Sequence, residues 1–138
     1  MPEFQESLIA EAPPEEVWKL LYDPARFPEW WQGVGTVDSP DAAADGRYTM
    51  YPEGYPDFPM PQLLTSGTDG RSVTVSCLVS DLRFEWRLRP VEADRGTHPA
   101  VRTEISAHVV VPEAEAHRVA AQTEAIHASL LRLAALAG

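Results

Sequence analysis

Through the middle of the chain, apolar and polar residues alternate at every second position. In Ser72–Ser80, Val73, Val75, Cys77 and Val79 fall on one side. In "LRFEWRLRP", around the strand Arg83–Val91, Leu82, Phe84, Trp86 and Leu88 oppose Arg83, Glu85, Arg87 and Arg89. In Val101–Val111, Val101, Thr103, Ile105, Ala107 and Val109 oppose Arg102, Glu104, Ser106 and His108. A period of two places successive side chains on opposite faces, so each run predicts a strand with one dry and one wet face. Arg83, Arg87, Arg102 and His108 are therefore expected to face solvent. The same reading gives strands at Val34–Val37, Arg47–Tyr51 and Gln62–Gly67, with Tyr48 and Met50 inward. "EFQESLIAE" at the start puts Phe4, Leu8 and Ala10 on one side.

The period changes to the helical one twice. "APPEEVWKLLYD" has proline in its first turn, Glu15 and Glu16 at its positive end, and a stripe of Val17, Leu20 and Leu21. "PARFPEWW" predicts a second, short helix. From Pro112 to Ala137 the stripe Val119, Thr123, Ile126, Leu130, Leu133 and Ala137 predicts one long helix. The order is strand, two short helices, about six strands, one long helix. Bunched strands with helices outside them predict an α+β fold with an antiparallel sheet, one face of which the last helix covers. Residues 39–46 and 92–100 are polar and turn-rich, and are expected to be surface connections within one domain spanning 1–138.

Charge narrows the function. The formal net charge is −10, and the arginines of "RFEWRLR" are spread along one strand face. Nucleic-acid and anionic-membrane binding both require basic patches, so neither is expected. No apolar run approaches the length of a membrane span, so no membrane insertion is expected. An acidic N-terminus and a single cysteine, Cys77, lead to the expectation of a cytoplasmic protein.

The stretch "MYPEGYPDFPMPQ" (Met50 to Gln62) holds four prolines, three aromatics and two methionines in thirteen residues. Proline excludes it from a helix interior and from a central strand, yet it is too apolar for an ordinary loop.

The motifs together resemble a known family. "SLIAEAPPEEVWKLLYDPARFPEWW", followed by "GRYTM", "FEWRLRP", "VRTEIS" and the closing helix, resembles the START/Bet v 1-like superfamily, in particular its polyketide cyclase/dehydrase branch. The resemblance implies a helix-grip fold, in which a curved antiparallel sheet of six to seven strands wraps around a long C-terminal helix. It also implies a cavity between sheet and helix that binds an apolar or aromatic small molecule. No cofactor is implied, and a homodimer remains open.

On that frame the site residues are as follows. Tyr48, Met50, Val75, Cys77, Phe84 and Trp86 share the inward sheet face. Thr123 and Ile126 come from the helix. Tyr55, Phe58 and Met60 form either a wall of the cavity or a plug of the core end, since both use the same residues. Of the adjacent Trp30 and Trp31, one anchors the short helix; Trp30 is assigned to the pocket. The catalytic candidates are Tyr48, whose hydroxyl needs a partner if buried, Glu6, which interrupts the Phe4–Leu8–Ala10 face, and His127, which borders the helix stripe. His98, His108 and His117 lie away from the pocket, Cys77 has no neighbour to activate it, and no metal-ligand spacing occurs. Cyclases of this branch often carry an internal arginine, whereas the strand arginines here point outward. The residues leave two readings open: a cyclase- or dehydratase-like enzyme, or a non-catalytic carrier, sequestering protein or sensor of a hydrophobic ligand.

Overall fold

A computed structural model describes residues 2–38, 46–67, 71–93 and 100–137. Its strands are β1 (Glu3–Ala10), β2 (Val34–Asp38), β3 (Arg47–Pro52), β4 (Met60–Ser66), β5 (Ser72–Cys77), β6 (Arg83–Ala93) and β7 (Ala100–Val110). Its α-helices are α1 (Pro14–Leu21), α2 (Phe27–Trp30) and α3 (Val119–Ala137). The seven strands form one sheet in the order β1-β7-β6-β5-β4-β3-β2, each neighbour antiparallel. From β2 to β7 the sheet is a meander. The chain instead reaches β2 from β1 by crossing from one sheet edge to the other, and α1 and α2 occupy that crossing. This is the helix-grip arrangement expected from the sequence.

Local chemistry explains the crossing. In α1, Pro14 opens the first turn, Glu15 and Glu16 sit at the positive end, and Lys19 reaches Glu16 at 3.1 Å. Val17, Leu20 and Leu21 are its buried face. Asp23 Oδ1 accepts the Ala25 amide at 3.1 Å and starts a 3-10 turn, Pro24–Arg26. Arg26 then grips Glu29 with two bonds, Nε to Oε2 at 2.9 Å and Nη2 to Oε1 at 3.0 Å. Gly33, at φ 102, makes the turn into β2 in a conformation that other residues rarely adopt.

Alternation holds across the sheet. Val73, Val75, Phe84, Trp86, Leu88, Ile105, Ala107 and Val109 are buried. Arg83 and Arg87 are exposed, and Arg102 and His108 lie on the outer face beside Glu11 (2.9 Å) and Glu3 (3.5 Å). Arg89 and Glu104 are register partners joined at 3.0 Å, a cross-strand ion pair on the wet face.

Three expectations change. β5 ends at Cys77, because Leu78 donates its N–H to the Pro61 carbonyl and the chain turns; Val79 is consequently exposed, not inward. Residues Glu113–Arg118 form a 3-10 helix, and the regular helix begins only at Val119. "MYPEGYPDFPMPQ" is mostly strand: Met50–Pro52 end β3, Met60–Gln62 begin β4, and only Glu53–Pro59 project. Pro61 is accommodated opposite Thr49 as a carbonyl acceptor with no N–H to satisfy. The connections expected at 39–46 and 92–100 fall largely outside the described residues, as does His98.

Candidate functional site

The concave face carries six aromatic rings in mutual contact. Phe27, Trp30 and Trp31 come from the α2 region; Tyr48, Phe84 and Trp86 come from the sheet. Trp30 and Trp31 stack at 5.4 Å, and each meets Trp86 edge-on at 5.1 Å. Such pairs add to the area that their rings bury. Trp30 is fully buried, and its indole N–H donates to the Leu20 carbonyl at 3.0 Å, tying α2 to α1. Beyond it, the Gln32 amide donates to Ser129 Oγ at 2.9 Å, which ties the end of α2 to α3.

Next to this cluster is a cavity of about 450 Å³. Its sheet wall is Tyr48, Met50 and Pro52 of β3, Met60 and Gln62 of β4, Val75 of β5, and Leu82 and Phe84. Trp31 and Val34 close the α2 side. The helix side is Glu115, Arg118, Ala121, Gln122 and Ala125. The volume is that of a site for a small organic ligand. The two charged lining residues are paired with each other, Arg118 Nη1 to Glu115 Oε1 at 3.5 Å. The remaining lining is apolar or neutral.

Of the sequence candidates, Tyr48, Met50, Met60, Val75 and Phe84 meet around this cavity. The others are elsewhere. Trp31, not Trp30, faces it. Trp86 and Ile126 are fully buried in the core, and Cys77 is buried without lining the cavity. Thr123 turns its hydroxyl back to the Val119 carbonyl at 2.7 Å. α3 presents Ala121, Gln122 and Ala125 to the cavity, one step around the helix from the apolar stripe. Tyr55 and Phe58 are 66% and 59% exposed and form neither wall nor plug, because they ride on the projecting tip between the paired ends of β3 and β4.

The catalytic candidates do not converge. Tyr48 lines the cavity. Burial pushes its phenol far above the ordinary tyrosine range, with a smaller contribution from Cys77, so it is held neutral. Glu6 is half-buried on the inward side of β1. β1 and β3 are five strand spacings apart, about 24 Å along the sheet. His127 is exposed on α3. Among the described residues no group of three or more metal-ligating side chains occurs, and no helix is long and apolar enough to cross a membrane.

Sequence reasoning missed Trp31, Gln62 and the alanines of α3. The pair of tryptophans gave no basis for choosing between its members. Gln62 stands in "MPQLLT", whose irregular alternation hides that Met60, Gln62 and Leu64 point one way.

The curved antiparallel sheet, the C-terminal helix and the cavity between them define the helix-grip class, and the sequence agrees. The chain belongs to the "Polyketide cyclase / dehydrase and lipid transport" family, whose profile matches residues 1–138. Among solved structures, XoxI of Bacillus cereus is similar at TM-score 0.73 and 14% identity, over 98% of this chain and 94% of that one. The di-domain ARO/CYC protein BexL of the BE-7585A biosynthetic pathway is similar at TM-score 0.75 and 16% identity, over 98% of this chain and 46% of that one. Protein DR_A0006 of Deinococcus radiodurans is similar at TM-score 0.69 and 16% identity, over 97% and 95%. No curated protein matches the chain.

Proposed function

We propose that this protein binds a hydrophobic, aromatic small molecule in the cavity between β3–β5 and α3. The observation that carries the reading is that Trp31, Tyr48, Met50, Met60, Val75 and Phe84 line a cavity of about 450 Å³. An apolar wall gains from every square ångström of ligand surface it removes from water, at about 25 cal/mol per Å². The fixed rings around it supply that gain at little ordering cost.

A carrier, sequestering protein or sensor needs only this cavity. A cyclase or dehydratase, the second reading, is supported by the family and by likeness in fold to an ARO/CYC protein. Proton transfer also requires a titrating group within hydrogen-bond reach of the substrate. Tyr48 is the one catalytic candidate in the lining and is held neutral; Glu6 and His127 lie off the cavity. That separation favours binding without chemistry.

Because Trp31 is part of the wall, binding should be read from tryptophan fluorescence. Titration with an apolar naphthalene dye is expected to quench it saturably, and Trp31→Phe to remove most of the change. Native mass spectrometry of protein purified from its own host would then show whether the retained molecule is recovered unchanged. Absence of saturable binding by any apolar dye would overturn the cavity reading.

A further inference from the structure

Gln62 is unusual among the lining residues. It is 4% exposed, on the dry face of a central strand. A carboxamide has two N–H donors and an acceptor oxygen, and burying them unpartnered is costly. Here the one hydrogen bond that Gln62 makes through its side chain among the described residues is Nε2 to the Met60 carbonyl, at the long distance of 3.5 Å. Its neighbour is similar. Tyr48 is 6% exposed, and no hydrogen bond to its hydroxyl is formed among the described residues. The two are direct register partners on β3 and β4, so their side chains leave the sheet side by side, about 4.5–5.5 Å apart at Cβ. Both line the cavity. The Tyr48 ring is held edge-on against Phe27 at 5.8 Å, which fixes where its hydroxyl sits.

Two adjacent, under-used donors that open onto a largely greasy cavity make a recognition point. We propose that Tyr48 and Gln62 together bind a carbonyl oxygen of a neutral ligand held in this cavity. The inference rests on the cavity reading above and adds to it the group that is recognised. A carbonyl oxygen has two lone pairs and can accept from the Tyr48 O–H and a Gln62 N–H at once. A neutral ligand fits because the charged lining residues, Glu115 and Arg118, already neutralise each other on the helix side. A ligand without the oxygen would leave both groups buried without partners, so the pair discriminates by rejection as well as by attraction.

The test uses two probes of nearly one shape, 2-acetylnaphthalene and 2-isopropenylnaphthalene, in which a CH2 replaces the carbonyl oxygen. The wild-type protein is expected to bind the ketone about tenfold more tightly, as one or two neutral hydrogen bonds in a dry site allow. Gln62→Leu and Tyr48→Phe are each expected to shrink that preference to threefold or less, while affinity for the alkene stays level or rises. Tyr48→Phe removes one oxygen and no carbon, so it preserves the fold and reads the recognition directly. Saturable binding of both probes with no preference in the wild type, or a preference that both variants keep, would overturn this inference and leave the cavity reading standing. Failure of the wild type to bind either probe would overturn both.

Discussion

Two regions of the concave side are built from the same kinds of residue and differ in what faces them. One region is filled: α3 packs along β1, and its Ile126, Leu130 and Leu133 are fully buried with Ile105, Ala107 and Val109. The other is hollow: over β3, β4 and β5 the same helix offers Ala121, Gln122 and Ala125, and a cavity remains. Both walls are mainly apolar on the sheet side. The space depends on what the opposing side chains fill: two of the three cavity-facing residues of α3 are alanines, whereas Ile126, Leu130 and Leu133 are large and fully buried. A sheet face can thus be packed core at one end and cavity wall at the other without any change in its own pattern.

The largest effect should separate the two regions by stability. Leu130→Ala leaves a void in the filled region and is expected to cost about 2–5 kcal/mol in denaturant unfolding. Met50→Ala only enlarges an existing space and is expected to cost less than about half as much, since Met50 has fewer contacts to lose. Equal losses would erase the distinction between the regions.

Filling is the converse experiment. Ala125→Leu places a larger side chain in the cavity and is expected to lower affinity for an apolar dye tenfold or more, with stability held within about 1 kcal/mol. The matched change in the filled region, Ala107→Leu, has no space to enter, and is expected to destabilise by about 1–3 kcal/mol through overpacking. A dye that binds Ala125→Leu normally would place its site elsewhere.

Alkaline pH probes the hollow region through Tyr48. Its folded pKa is raised above the ordinary 10.0, so above pH about 10 the unfolded chain releases this proton before the folded one does. The unfolded state then binds fewer protons, and stability falls as pH rises, by at most about 1.4 kcal/mol per pH unit for one group. Below that pH the contribution is constant. Tyr48→Phe has no such proton, so its stability is expected to fall less steeply between pH 10 and 11. Parallel alkaline limbs for the two proteins would show that Tyr48 ionises freely and is not buried as described.

How much of this was legible in the sequence follows from what periodicity measures. Alternation reports which face of a strand is dry, and it read Phe84, Trp86, Ile105 and the outward arginines directly. It cannot report whether a dry face meets a helix or a void, because both demand apolar residues. For that reason Tyr48, Met50, Val75 and Phe84 were legible as inward and, with Met60, now surround the cavity, while Trp86, Cys77 and Ile126, equally inward, are packed in the core. On α3 the stripe marked the long buried side chains. The cavity lies beside it, at Ala121, Gln122 and Ala125, and a small residue such as alanine carries no signal of what it leaves empty. Trp30 and Trp31 differ by a backbone bend that composition does not encode.

The smallest effects are expected at the tip of the β3–β4 connection, which the sequence marked as the most distinctive stretch. Tyr55 and Phe58 are more than half exposed and do not line the cavity. The prolines there hold a short projection in place: Tyr55 and Phe58 are linked by a backbone bond, Phe58 N to Tyr55 O at 3.2 Å, and Gly54 makes the turn at φ 81. Truncating an exposed ring removes little buried area. Phe58→Ala and Tyr55→Ala are therefore expected to change stability by about 0.5 kcal/mol or less. A plug would cost several times more, about 3–5 kcal/mol for a buried phenylalanine. Dye affinity is expected to stay within about twofold, since neither ring contributes wall area and the transfer gain is proportional to area buried. The two readouts separate the alternatives. A stability loss of several kcal/mol at Phe58 would show that the tip folds inward and fills the core end. Normal stability with a tenfold loss of dye binding would show that the tip closes over an occupied cavity. In that case the hollow region would have a third wall, supplied by the β3–β4 tip.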